Sequence, residues 1–128
     1  VMLTVNDSHI DSLQRGVLVA PTGTGSAELY IRDSTLSGGA QDAIALLPAA
    51  PSPGPVISVF IDNSRITDFG AAGINASGGN TLVRLSDSTI SGNATGVTRS
   101  NNAVIQSCGN NRIVGNISNG TVTLTPMQ

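Results

Sequence analysis

The chain contains no lysine, no tryptophan and one cysteine, and only 2% of its 128 residues are aromatic. Each shortage excludes something. With a formal net charge of −2 and 11% charged residues, the chain lacks the electrostatic footprint of a nonspecific nucleic-acid binder, and membrane-surface attraction is equally unsupported. No apolar run approaches the roughly 20 residues of a membrane-spanning helix, so no membrane insertion is expected. No basic segment precedes an apolar stretch in the manner of a signal peptide; Val1, Met2 and Leu3 already sit in a strand-like pattern. The reading is a single domain, residues 1–128, that forms a segment of a longer protein. A lone cysteine makes no intramolecular disulfide, so Cys108 is silent about redox compartment. With so few rings and 15 glycines, the core must be aliphatic and divided among many short segments.

What the sequence does have is self-similarity. An aliphatic strand runs into a polar corner and restarts at VNDSHI from Val5, IRDSTL from Ile31, IDNSRI from Ile61, LSDSTI from Leu85 and CGNNRI from Cys108. The closing aliphatics Ile10, Leu36, Ile66, Ile90 and Ile113 set a period of 23 to 30 residues. Such a period fits a solenoid, whose turns bury their apolar faces only by stacking.

Before each corner the pattern alternates, as in Leu29 and Ile31, Val59 and Ile61, and Val83 and Leu85, which predicts inward columns. Aligned on the corner, Val5, Ile31, Ile61, Leu85 and Cys108 form one inward ladder, and Gln106 falls at an inward position of the fifth unit. Cys108 then reads as a buried structural thiol, with no nearby His or Lys in sequence to activate it. Thr4, Tyr30, Phe60 and Arg84 point outward, as do Asn6, Arg32, Asp62 and Ser86. A second short strand follows each anchor at Val17, Ile44, Ile74 and Val97, three of them introduced by glycine. The repeat is thus strand, tight corner, strand. No segment keeps a helical apolar period, so helix should be nearly absent. Pro48 to Pro55 carries four prolines and reads as an extended external loop.

The pattern apolar-x-apolar-x-[DN]-S-x-[IL], followed by an aliphatic strand and ending in CGNNRIVGN, resembles the right-handed parallel β-helix repeats of the pectate-lyase-like group. The resemblance runs from about Leu3 to Asn116. It implies an all-β fold, a right-handed parallel β-helix (solenoid) of about five coils. It leaves activity open, because the scaffold carries lyases, hydrolases, epimerases, phage tailspikes and adhesins.

Two polar constellations are candidates for function. The corner column Asp7, Asp33, Asn63, Asp87 and Asn110 reads as a structural device: its side chains accept the backbone N–H two residues on and bond to the next coil. The alternative is a cation site, which neutral Asn63 interrupts. The second constellation is Tyr30, Arg32, Phe60, Asp62 and Arg84 on the outer strand face, where adjacent rings stack on a sugar or on another protein, or simply on each other.

Enzymes of the resembled group imply a test. Their lyases hold calcium with clustered carboxylates beside a basic residue, and their hydrolases use three close aspartates. Here the outward strand positions read as offering only Asp62, the hydrolases' Gly-His-Gly is absent, and no nucleophile accompanies His9 and Asp11. No catalytic and no metal-binding residue is therefore assigned, and no cofactor is expected, calcium entering only with an enzyme. The segment PTGTGS lacks a phosphate-loop lysine. Asn-X-Ser/Thr sequons begin at Asn6, Asn75, Asn93, Asn116 and Asn119.

The expected function is a noncatalytic scaffold, or a weak glycan- or protein-binding segment, of a larger secreted or surface bacterial protein. A polysaccharide is the expected partner, and self-association or packing through open coil ends is a further expectation. The competing reading is a pectate-lyase-like lyase or glycoside hydrolase lacking part of its site in this chain.

Overall fold

The computed structural model describes residues 1–12, 14–49 and 54–125. The first turn contains β1 (Met2–Asn6), β2 (His9–Asp11) and β3 (Val17–Val19); the second contains β4 (Ser26–Arg32), β5 (Thr35–Ser37) and β6 (Ile44–Leu46). The third contains β7 (Val56–Asp62), β8 (Arg65–Thr67) and β9 (Ala72–Ser77), and the fourth β10 (Thr81–Ser86), β11 (Thr89–Ser91) and β12 (Thr95–Ser100). A fifth turn supplies β13 (Val104–Ser107) and β14 (Arg112–Ile113), and β15 (Thr123–Leu124) starts another. Among the described residues there is no helix.

Every pairing is parallel and joins equivalent strands of successive turns. The result is an all-β solenoid with three sheets, in the orders β1-β4-β7-β10-β13-β15, β2-β5-β8-β11-β14 and β3-β6-β9-β12. Four turns are complete rather than five, because the third side of the fifth turn shrinks to one bridge, Thr95 to Ser118. Each complete turn also has three strands rather than two. The residues around each Ile/Leu anchor form a short strand of their own, giving the second sheet.

The core is the aliphatic interior predicted by the alternation. Leu29, Val59 and Val83 stack in one column and Ile31, Ile61 and Leu85 in the next, all at most 1% exposed. Leu36, Ile66 and Ile90 stack in the second sheet, and Ile44, Ile74 and Val97 in the third. Phe69 is the one ring inside; it lies over Gly39, where even a Cβ would come within 2.7 Å of the ring.

The fifth turn corrects the expected ladder. Leu85 pairs with Ser107, and Arg84 with Gln106. Ser107 is therefore the buried inward residue, Cys108 is only half-buried on the outer side of the turn, and Gln106 continues the outward column. The cause is one additional residue in the corner. Four steps lead from Leu85 to Thr89, but five lead from Ser107 to Arg112, which pairs with Thr89.

The corners have a shared construction. Asp7, Asp33, Asn63 and Asp87 adopt φ between 43° and 50°, a region that Asn and Asp tolerate better than other side chains. In the longer fifth corner Gly109 (φ 90°) takes that conformation instead of Asn110. The Asp and Asn side chains do bond between turns: Asn63 Nδ2 donates to Asp33 Oδ1 at 2.6 Å, and Asn110 Nδ2 to Asp87 Oδ1 at 2.8 Å. The Asp87 N–H donates to the corner side chain Asn110 at Oδ1, 3.1 Å away, but the N–H just after each corner is satisfied differently from expectation, by an inward-turned residue of the next turn. Ser34, Ser64 and Ser88 accept N–H bonds from Ser8, Ser34 and Ser64 of the preceding turn at 3.1 to 3.2 Å, and Asn111 Oδ1 accepts from Ser88 at 2.9 Å.

The long unit arises between Leu46, where β6 ends, and Val56, where β7 begins. Residues 48, 49, 54 and 55 there belong to no strand, and residues 50–53 of the expected Pro-rich loop lie outside the described residues.

Candidate functional site

The outer face of the first sheet is built by strict parallel register. Glu28, Tyr30 and Arg32 of β4 lie beside Ser58, Phe60 and Asp62 of β7, which lie beside Leu82, Arg84 and Ser86 of β10. Because successive parallel strands sit about 4.8 Å apart, Tyr30, Phe60 and Arg84 form a continuous column along the solenoid axis, extended by Thr4 at one end and Gln106 at the other. The buried neighbours Leu29, Ile31, Val59 and Ile61 hold these strands, so the exposed side chains project from a rigid support.

Beside that column Arg32 faces Asp62, with Nη2 3.7 Å from Oδ2 and side chains 56% and 24% exposed. So open a pair contributes at most about 1 kcal/mol, and it leaves both groups accessible to water or ligand. Among the described residues no carboxylate lies within ion-pair distance of Arg84. The face thus offers two adjacent rings, a neutralised Arg–Asp pair and one uncompensated guanidinium. Glu28 also belongs to this face, in register with Ser58, so Asp62 is not its sole carboxylate. Sequence reasoning overlooked Glu28, although it sits two positions before Tyr30 and shares its parity.

Around the corner lies a polar depression of about 350 Å³, lined by Asp33, Asn63, Asp87, Thr35, Arg65 and Thr89. Its acidic residues are those of the corner column, with Asp33 and Asp87 each bonded to an asparagine of the following turn. A calcium ion takes six or more oxygens. Among the described residues no group of three His, Cys, Asp or Glu side chains is placed to hold a metal ion.

His9 and Asp11 are exposed on the second sheet, and His9 Nε2 is 3.0 Å from Ser37 Oγ. Two of the sequon asparagines, Asn93 and Asn116, bond across turns in a way that the sequence did not reveal. Asn93 is buried: its Oδ1 accepts the Phe69 N–H at 2.9 Å, and Asn116 Oδ1 accepts the Asn93 N–H at 3.0 Å. This second internal ladder carries the turn between the second and third sheets.

At the N-terminal end Val1, Met2 and Leu3 are 96%, 65% and 45% exposed, although Leu3 belongs to the column in which Leu29 is 1% exposed. An apolar depression of about 280 Å³ opens there among Val1, Leu3, Leu18, Val19 and Pro21. The opposite end is partly covered by β15, which pairs with β13. Pro126, expected to interrupt this tail, lies outside the described residues.

Comparison of the chain with protein-family models, with curated proteins and with solved structures gives no match.

Proposed function

We propose that this chain is a noncatalytic scaffold segment of a larger secreted or surface bacterial protein, a right-handed β-helix of the pectate-lyase-like kind, whose outer sheet face makes weak contacts with a glycan. The observation that carries this reading is the register of Tyr30, Phe60 and Arg84 in three adjacent strands. Rings spaced by one strand present flat apolar surface to a sugar, and a neighbouring guanidinium donates hydrogen bonds to its oxygens. The right-handed winding is supported by the strong preference of parallel crossovers for that hand. Weak affinity follows from an open face, which orders ligand without enclosing it.

The competing enzymatic reading draws on Glu28, Asp62 and Arg84 sharing one face. It requires further carboxylates from outside this chain, since calcium finds no converging set of ligands among the described residues.

One experiment separates the two. The protein is incubated with polygalacturonate, alginate and a neutral glucan, with and without calcium, while retention on the immobilised glycan and ultraviolet absorbance of unsaturated products are followed. The proposal expects retention that falls at least tenfold in Tyr30→Ala/Phe60→Ala, with no absorbance change. Product absorbance that survives repurification and vanishes in Arg84→Ala or Asp62→Ala would replace the scaffold with a lyase.

A further inference from the structure

Of the sequon asparagines, Asn119 stands apart. It is exposed, and it precedes Gly120 in the only Asn-Gly pair of the chain. Gly120 has φ 77°, and a Cβ there would collide with the Val97 carbonyl, so glycine is required by the packing itself. Among the described residues the Gly120 N–H makes no hydrogen bond. The Asn119 side chain is oriented: Asn116 Nδ2 donates to its Oδ1 at 3.1 Å, while the Asn119 backbone carbonyl accepts the Val97 N–H, also at 3.1 Å.

We propose that Asn119 is a site of spontaneous self-modification. The Gly120 backbone nitrogen attacks Cγ of Asn119 and loses its proton to solvent, and the former amide nitrogen leaves as ammonia when the five-membered succinimide closes. Water then opens the ring at either carbonyl, leaving a carboxylate on a normal or a β-linked backbone. Net, an amide and water become a carboxylate and ammonium, and nothing is oxidised or reduced. Gly120 favours the attack because it has no side chain to shield its nitrogen. Asn116 favours it by donating to the oxygen on which negative charge develops. The β-linked product lengthens the backbone by one methylene where Val97 is bonded, so conversion loosens the last turn.

The test is peptide mapping by mass spectrometry of the intact protein held in mildly alkaline buffer, with oxygen-18 water to mark ring opening and isoaspartate methylation to mark the β-linked form. The expected result is that Asn119 converts before any other asparagine, and no more slowly in the native protein than in urea. Earlier conversion elsewhere, or a native rate below that of the denatured chain, would overturn the proposal. Asn119→Gln abolishes the signal. Asn116→Asp, checked for folding by circular dichroism, slows conversion about tenfold, less than the roughly hundredfold of a buried oxyanion donor. An unchanged rate in the folded variant would overturn the role of Asn116.

Discussion

Ser64 Oγ accepts the backbone N–H of Ser34 from the preceding turn at 3.2 Å and donates its own proton to the Asp62 carbonyl at 2.8 Å. One buried hydroxyl thereby satisfies a backbone donor in one turn and a backbone acceptor in the next. Ser34 and Ser88 do the same, with Oγ to carbonyl distances of 2.6 and 2.7 Å. The bend thus keeps its polar groups paired inside an aliphatic core, where an unmade bond is costly.

Ser64→Ala leaves the Ser34 N–H and the Asp62 carbonyl without that partner. The expected cost is about 1–3 kcal/mol, read as a lowered urea midpoint with unchanged slope. An exposed substitution on the neighbouring corner, Asp33→Asn, keeps the αL-tolerant shape and an Oδ1 that still accepts from Asn63, and is expected to change stability far less. Equal losses in the two variants would refute the serine ladder as the main support of the corner.

Cys108 tests the register of the fifth turn. It is half-buried on the outer side, whereas Ser107 points inward. A thiol reagent such as a small maleimide is expected to modify Cys108 in the native protein, and Cys108→Ser to shift stability by less than about 0.5 kcal/mol. A thiol that reacts only after denaturation would place Cys108 in the core and shift β13 by one residue, turning each of its side chains to the opposite face.

Much of the architecture was legible because its signal is repeated. Leu36, Ile66 and Ile90 recur at the anchor position, and alternation about Tyr30 and Phe60 separates inward from outward residues without ambiguity. The fifth turn was not legible, because aligning it on Asn110 hid the extra corner residue. Gly109 was the available clue, since a glycine before the Asn pair is free to take the positive φ supplied elsewhere by Asp or Asn. The three-residue strands of the second sheet are too short to show a period of their own. The internal bonding of Asn93 and Asn116 was not legible, because their hydrogen-bonding partners, Phe69 and Asn93, come from other turns. On the candidate face, Tyr30, Arg32, Phe60, Asp62 and Arg84 were located by parity alone, while Glu28 was missed by starting the outward column too close to the corner.

The open N-terminal end leads to a contrast between two leucines of one column. Leu3→Lys is expected to change stability by less than about 1 kcal/mol, since Leu3 is already 45% exposed, while Leu29→Lys, at 1% exposure, costs more than about 4 kcal/mol. We propose in addition that this end drives association, so light scattering across a concentration series should show mass growth in the parent chain that Leu3→Lys suppresses. A strictly monomeric parent at high concentration would remove the physical basis for association through this end.

The central claim, a rigid outer face that contacts glycan without transforming it, is tested most directly by recording amide NMR spectra of the chain during titration with defined oligosaccharides. The account predicts fast-exchange shifts confined to residues around Glu28 to Arg32, Ser58 to Asp62 and Leu82 to Ser86, with the oligosaccharide signals recovered unchanged. Shifts centred elsewhere on the solenoid, or the growth of signals from a cleaved or unsaturated sugar, would contradict it.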